Sequence, residues 1–171
     1  TSSDSVAATP AAAVRAGAGE MTRDRGTNPK TFLTATESEL VVQAIAQSEK
    51  DTTGEIRVRI DRKCGRPALE AARLLFHLLK MDATAERNGV LIYLSLTDHE
   101  FAVFGDEGID AMMGCDGWNA IRDRLAARFR KDEFAAGLAE AVTDIGKVLS
   151  KQFPGHKKDR NELSDDLSLG D

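Results

Sequence analysis

The sequence predicts an α/β protein in which a small mixed sheet carries helices on both of its faces. Residues 90–96 form an apolar run of strand length, and residues 101–104 form a second one after a short polar break. Two such runs across a polar turn predict an antiparallel hairpin. Helical spacing of apolar residues before and after the hairpin completes the element order α-β-α-β-β-α-α.

The folded part is predicted to begin near Phe32 and to open with a helix. Thr34 with Glu37, and Thr36 with Glu39, both fit the pattern of a capping box. Apolar residues at helical spacing then predict the buried face of this helix: Leu40, Val41, Ala44 and Ile45.

A strand is predicted at residues 55–60, where apolar and charged side chains alternate. This alternation indicates a half-buried strand with one wet face, or a strand at the edge of the sheet. Pro67 suits the first turn of the next helix. The predicted buried stripe of that helix comprises Ala68, Ala72, Leu75, Phe76 and Leu79.

The central strand is predicted at residues 90–96, because an apolar run without alternation is typical of a strand buried on both faces. The strand at residues 55–60 reaches it through a helix, so the two strands should be parallel with a right-handed crossover. Two further helices follow the hairpin. Their apolar positions are Trp118, Ile121, Leu125 and Phe129 in the first, and Phe134, Leu138, Ala141, Val142, Ile145, Val148 and Leu149 in the second.

The chain of 171 residues is predicted to hold one domain at residues 32–154. Residues 1–30 are rich in small residues without periodicity, which favours a disordered N-terminal arm. Pro154-Gly155 ends the last helix, and residues 155–171 are expected to form a flexible charged tail.

Composition excludes several classes of function. A net charge of -5 argues against nucleic-acid binding, which requires a basic face. The sequence contains neither an apolar run of about 20 residues nor an intact signal peptide, so a cytoplasmic location is expected. Cys64 and Cys115 lack the spacing of a zinc site. They are expected to be separate thiols in a reducing compartment, while a disulfide would require an oxidising one.

Three loop segments are predicted to meet at one end of the sheet. Residues 53–55 enter the first predicted strand, residues 87–89 enter the second, and residues 105–108 leave the third. Because the exit of a strand lies beside the entry of its antiparallel partner, these segments should be neighbours.

Polar side chains in these segments predict a binding site. Glu55, Asn88 and Asp106 place two carboxylates and an amide oxygen there. Hard cations such as calcium and magnesium require oxygen ligands of this kind. Arg87 can neutralise phosphate charge. Four glycines would let a phosphate or backbone carbonyls approach closely: Gly54, Gly89, Gly105 and Gly108.

A simpler interpretation of the same residues stays open. Gly54, Gly89 and Gly105 can serve turns, while the two acids cap helices or remain solvated. Nucleophilic catalysis has less support, because the histidines have no evident serine or cysteine partner. The chain also lacks the P-loop, GxGxxG and GxSxG motifs.

Several segments carry a resemblance to a known family: residues 53–60 (TGEIRVRI), 88–96 (NGVLIYLSL) and 101–109 (FAVFGDEGI), with Trp118, Phe129, Phe134, Gly137-Leu138 and Ile145-Gly146. Together they resemble the TPM domain, a family that includes a thylakoid-lumen phosphatase-like protein of plants and many bacterial members. The resemblance covers residues 32–154. The tail segment Asn161-Glu162-Leu163 is similar to a soluble bacterial subgroup without a membrane anchor.

The resemblance implies a three-layer α/β/α sandwich, a bound calcium or other divalent ion, and acid-phosphatase activity. Glu55, Asn88 and Asp106 fall in the matching segments. Two hypotheses follow. One is a metal-assisted phosphomonoester hydrolase acting on a phosphorylated substrate. The other is a non-catalytic calcium-binding or chaperone-like module with a protein client.

Overall fold

Five strands form a single sheet in the order β1-β4-β3-β2-β5. The structure is a computed structural model that describes residues 11–15, 25–155 and 166–170, the first range by its backbone alone. The strands are β1 (Ala11–Arg15), β2 (Glu55–Asp61), β3 (Gly89–Ser95), β4 (Glu100–Gly105) and β5 (Ser168–Leu169). The helices are α1 (Pro29–Phe32), α2 (Ala35–Glu49), α3 (Ala68–Leu78), α4 (Glu107–Arg130) and α5 (Phe134–Gln152), with a 3-10 turn at Met81–Ala83.

The predicted α/β class is confirmed. Strands β2 and β3 are parallel, and β3 pairs antiparallel with β4 across the predicted hairpin turn. In this register Glu55 lies opposite Gly89, and Val90 lies opposite Gly105. The amino-terminal ends of β2 and β3 therefore adjoin the carboxyl-terminal end of β4.

Helices cover both faces of the sheet and divide the core into two parts. The larger core joins one face to α2, α4 and α5, and it contains Val58 and Ile92. The smaller core lies under α3 and contains Phe76, Leu91 and Tyr93. Because successive side chains of a strand point to opposite faces, β3 supplies both cores. This explains its unbroken apolar run.

Helix α2 begins with the first of the two predicted capping boxes. The backbone N–H of Glu37 donates to Thr34 Oγ1 at 3.1 Å, and the N–H of Thr34 donates to Glu37 Oε1 at 3.0 Å. Val41 and Ile45 are buried as predicted. The prediction is wrong for Leu40, which is 49% exposed because it lies beside the face that Val41 and Ile45 turn toward the larger core.

The apolar stripe predicted for α3 is buried at Ala68, Ala72 and Phe76. Leu75 and Leu79 are only partly buried, at the border of the smaller core. The stripes predicted for the last two helices pack in or against the larger core. Helix α4 is interrupted within its length at Gly114, whose φ of 71° is not helical.

Both ends of the chain contain strands where the sequence predicts an arm and a tail without structure. Strand β1 pairs antiparallel with β4, and β5 pairs in parallel with β2. These short strands lie at the two edges of the sheet, where pairing uses backbone groups and requires no apolar alternation. The rest of the predicted arm before residue 25, and most of the predicted tail, lie outside the described residues. Within the described part of the chain, no helix is long and apolar enough to cross a membrane.

Candidate functional site

The predicted site residues Glu55, Asn88 and Asp106 lie at one end of the sheet. The N–H of Glu55 donates to the carbonyl oxygen of Asn88 at 3.4 Å, and the N–H of Asp106 donates to that of Gly89 at 2.9 Å. All three residues are buried, and Asn88 is only 1% exposed. The register of β2, β3 and β4 thus brings three distant parts of the sequence together.

Asp106 joins the loop before β3 to the start of α4. Its carboxylate accepts from Arg87 twice, with Nε–Oδ2 at 2.8 Å and Nη2–Oδ1 at 3.0 Å. The same side chain caps α4, because Oδ1 also accepts from the N–H of Glu107 at 2.8 Å. The hydrogen bond to Asp106 raises the pKa of the Arg87 guanidinium. Both carboxylate oxygens of Asp106 are therefore already engaged.

Asn88 belongs to a separate group of oxygen-bearing side chains, which we name the Asn88 cluster and define as Thr53, Glu86 and Asn88. Nδ2 of Asn88 donates to Thr53 Oγ1 at 3.1 Å. The Thr53 hydroxyl in turn donates to the Glu86 carboxylate. The amide oxygen of Asn88 is buried and has no hydrogen-bond partner among the described residues. An oxygen atom of this kind is an open acceptor.

Packing explains glycine at the four positions where the sequence predicts contact with a ligand. A Cβ at Gly108 would lie 2.6 Å from the carbonyl oxygen of Arg87, so the first turn of α4 touches the preceding loop. A Cβ at Gly105 would lie 2.6 Å from Cη2 of Trp118. Protein atoms also fill the corresponding space at the other two glycines, Gly54 and Gly89.

Sequence reasoning missed two members of the Asn88 cluster, Thr53 and Glu86. Thr53 opens the segment predicted to enter the first strand, and Glu86 directly precedes the segment predicted to enter the second. Thr53 begins the family-like segment at residues 53–60, whereas only its place in the topology could have indicated Glu86. Any polar side chain in residues 53–55 or 84–88 is a candidate for this end of the sheet.

A second polar cluster lies at the other end of β2 and β3. Ligand atoms of Cys64, Asp98 and Glu100 all lie within 4.8 Å of one another. Asp98 Oδ2 accepts from the Cys64 N–H at 2.9 Å and from Ser95 Oγ at 2.7 Å, and these bonds hold its pKa low. Burial raises the pKa of the Cys64 thiol, which disfavours the thiolate that a metal would require. These hydrogen bonds attach the segment after β2 to the turn between β3 and β4, which explains why the three side chains lie together.

The two cysteines are free thiols, as expected. Cys64 is partly buried and Cys115 is exposed. They lie on different elements, one after β2 and the other within α4. The structure therefore places no cross-link near the candidate site.

A small mixed sheet lies between α3 on one face and α2, α4 and α5 on the other. This arrangement defines a three-layer α/β/α protein, and oxygen-bearing side chains cluster at one end of its sheet. The family model of the TPM domain matches residues 27–148. The chain belongs to the TPM domain family, which confirms the resemblance found in the sequence.

Solved structures similar to this chain include two determined by NMR. One is the NMR structure of the BA42 protein from the psychrophilic bacterium Bizionia argentinensis, with 39% identity and a TM-score of 0.75, covering 81% of this chain and 96% of that chain. The other is the solution NMR structure of the N-terminal domain of a protein from P. gingivalis. It is 20% identical, with a TM-score of 0.59, and the match covers 75% of this chain and 83% of that one. At this identity it shows the fold alone. No curated protein matches the chain.

Proposed function

We propose that this TPM domain is a divalent-cation-binding module, with calcium as the ion and the Asn88 cluster as the centre of its site. The observation that carries the proposal is the buried amide oxygen of Asn88, which has no hydrogen-bond partner among the described residues. Leaving such an atom unsatisfied costs about 1–3 kcal/mol. A bound cation would remove that cost, because asparagine carbonyl oxygens are regular calcium ligands.

The neighbouring groups fit a hard cation. Glu86 supplies an exposed carboxylate and Thr53 a hydroxyl oxygen, both hydrogen-bonded within the cluster. Glu55 adds a buried carboxylate at the start of β2, and its backbone N–H donates to the carbonyl oxygen of Asn88. Carboxylate, amide and hydroxyl oxygens are the donors that calcium prefers to nitrogen or sulfur.

Asp106 is less suited to hold the ion than the sequence predicts. Both of its oxygens accept hydrogen bonds from Arg87 or from the amino terminus of α4. A metal at Asp106 would have to displace the guanidinium. We therefore assign Asp106 the role of an anchor that positions Arg87 and α4 beside the cation site.

Hydrolysis of phosphate esters has weaker support than cation binding. Arg87, the cation predicted to hold phosphate, is paired with Asp106 and lies 3.8 Å from a carboxylate oxygen of Glu107. The Arg87 guanidinium therefore already has two carboxylate partners, and the neighbouring Glu86 brings a third negative charge to this end of the sheet. An incoming phosphate would meet a surface that is acidic on balance.

Calcium titration of the full chain by calorimetry tests the proposal. Calcium takes six to eight oxygens, so three or four side chains leave positions for water, and we expect a Kd on the order of 10⁻⁴ M. Glu86→Gln and Asn88→Ala should weaken binding by about tenfold or more. Asn88→Asp should strengthen it, because a carboxylate replaces the amide. Glu107→Gln is the matched control, since Glu107 is exposed at the same end of the sheet and contacts Arg87 instead of the cluster.

Two results would contradict this assignment. One is the absence of binding by the wild type at millimolar calcium, and the other is equal binding by the wild type, Glu86→Gln and Asn88→Ala. Turnover of p-nitrophenyl phosphate, measured with and without calcium, separates the two functional hypotheses. A binding module gives no turnover above the protein-free rate, whereas turnover lost in the same variants would assign catalysis to the site.

A further inference from the structure

The outer edge of β2 is covered by another strand over only part of its length. Strand β2 has seven residues, and β5 pairs with two of them, Arg59 and Ile60. The N–H of Gly170 extends the pairing by donating to the carbonyl oxygen of Ile60 at 2.8 Å. Nearer the start of β2, the Glu49 carboxylate accepts from the outward N–H of Ile56 at 2.8 Å. The stretch from Val58 to Ile60, which β5 now occupies, is therefore the part of this edge that can pair with an extended segment.

Side chains select which segment fits this edge. Leu167 packs against the larger core. The Ser168 hydroxyl accepts from Arg59 Nη1 at 2.9 Å. These two contacts favour a segment in which an apolar residue is followed by a hydroxyl-bearing residue.

The next two positions have opposite requirements. A Cβ at Gly170 would lie 2.9 Å from Cγ of Asp61 and would overlap its carboxylate oxygen. A larger residue there must displace a carboxylate that accepts hydrogen bonds from Arg59 and Tyr93, so glycine is favoured at this position. Leu169 is 37% exposed and leaves its position tolerant of other side chains. The edge thus recognises the pattern apolar, hydroxyl, any residue, glycine.

Charge adds a preference at the amino side of this pattern. Arg57 and Arg59 lie on the same face of β2, because side chains alternate along a strand. Nε of Arg57 is buried and has no hydrogen-bond partner among the described residues. In the sequence, Asp165 and Asp166 directly precede Leu167. Arg59 is already paired with Asp61, at 2.7 Å between Nε and Oδ1, so acidic residues ahead of the pattern complement Arg57.

We propose that the outer edge of β2 is a docking site for an extended segment of a partner protein, and that residues 167–170 of this chain are its built-in competitor. The partner segment carries acidic residues followed by an apolar residue, a hydroxyl-bearing residue, any residue and glycine. Strand addition to a sheet edge obtains affinity from backbone hydrogen bonds and specificity from alternate side chains. A competitor on the same chain acts at an effective concentration in the millimolar range, so it keeps the edge closed to weak ligands.

The test uses the full chain and a fluorescein-labelled peptide with the sequence of residues 164–171 (SDDLSLGD). Gly170→Val in the protein should weaken the pairing of the chain's own segment with β2, because the added side chain must displace the Asp61 carboxylate. Fluorescence anisotropy should then show peptide binding by Gly170→Val at least about tenfold tighter than by the wild type. Circular dichroism and a cooperative melt establish that the variant is folded.

Peptide variants test the pattern. Within the peptide, Gly170→Val should abolish binding and Ser168→Ala should weaken it, whereas Leu169→Ala, the matched control, should bind as the parent does. A peptide of different sequence with the same pattern, Glu-Glu-Ile-Thr-Gln-Gly, should bind within about tenfold of the parent.

Three outcomes would overturn the proposal. The first is no peptide binding by folded Gly170→Val, which would leave β5 as a cover for the sheet edge and nothing more. The second is failure of the unrelated peptide, which would restrict the edge to the chain's own sequence. The third is a dimer of the wild type in light scattering that Gly170→Val abolishes, because the edge would then bind a second copy of this chain.

Discussion

Arg87 and Asp106 form a two-point ion pair that connects the loop before β3 to the helix after β4. Arg87 has a φ of 53°, a left-handed backbone conformation that is uncommon for residues other than glycine. Its carbonyl oxygen also accepts from the N–H of Gly108 at 2.8 Å. The ion pair and this backbone contact together hold a strained loop beside the Asn88 cluster.

Replacing Asp106 should destabilise the fold more than replacing Arg87. Asp106→Ala removes the cap of α4, a loss of about 1 kcal/mol, and it also removes the ion pair. Arg87→Ala removes only the ion pair, whose guanidinium is exposed and screened by solvent. Urea unfolding of both variants measures which one loses more free energy of unfolding. Glu107→Ala is the control and should stay within about 0.5 kcal/mol of the wild type. A larger loss for Arg87→Ala than for Asp106→Ala would contradict the capping role.

Gly108→Ala should destabilise the protein by roughly 2–3 kcal/mol, because overpacking against backbone leaves little room to relax. The added Cβ would overlap the carbonyl oxygen of Glu86 and would lie 2.6 Å from that of Arg87. Met112→Ala, in the same helix and exposed, is the control and should change stability by under about 0.5 kcal/mol. Thermal and chemical unfolding of Gly108→Ala and Met112→Ala measure the two changes in stability. A neutral Gly108→Ala would mean that the first turn of α4 does not touch the loop.

Ile92→Ala tests the central position of β3. Ile92 is fully buried in the larger core, opposite Val58 on one side and Val103 on the other. Truncation should cost roughly 2–4 kcal/mol through lost burial and the cavity that remains. Leu78→Ala is the matched control, since Leu78 is 76% exposed and its loss should cost under about 0.5 kcal/mol. Similar losses for the two variants would place Ile92 outside the core.

Glu37 should make stability depend on pH in the acid range. Arg25 donates two hydrogen bonds to its carboxylate, at 2.6 and 2.9 Å, and they hold the pKa of Glu37 below its ordinary value. The ordinary pKa of glutamate is about 4.3. A carboxylate whose pKa is lower in the folded state stabilises the fold above its unfolded pKa, and this contribution disappears as the pH falls through the folded pKa.

Glu37→Gln should therefore be less stable than the wild type at neutral pH, and the difference should shrink as the pH falls from about 5 to about 3. Urea unfolding over that range measures the difference directly. Glu39→Gln, which removes a carboxylate from an exposed position on the same helix, is the control and should change stability by under about 0.5 kcal/mol at neutral pH. A difference between the wild type and Glu37→Gln that stays constant to pH 3 would exclude the contribution of the Arg25 contact.

Sequence patterns predicted the central elements because burial there depends on local spacing. The apolar run of β3 predicts a strand that faces two cores, and the Thr34–Glu37 spacing predicts the capping box of α2. The error at Leu40 has a simple cause. Helical periodicity defines an apolar face only to within about one position, and the packing of α2 into the larger core left Leu40 outside that face.

The candidate site was only partly predictable. The topology of β2, β3 and β4 indicated the end of the sheet at which Glu55, Asn88 and Asp106 lie. It could not indicate which side chains contact one another there, because those contacts depend on loop conformation. Asp106 pairs with Arg87 through the left-handed backbone of Arg87, and no residue pattern in this stretch predicts that conformation.

The sequence alone determined the α/β class, the order and spacing of the main elements, and the membership of the TPM domain family, because periodicity and family motifs are properties of contiguous residues. Only the tertiary structure decided the partners of Asn88 and the pairing of β5 with β2. Thr53 contacts Asn88 across 35 positions of sequence, and Ser168 contacts Arg59 across 109. Contacts over such distances depend on how elements pack in three dimensions, so a local pattern of residues does not encode them.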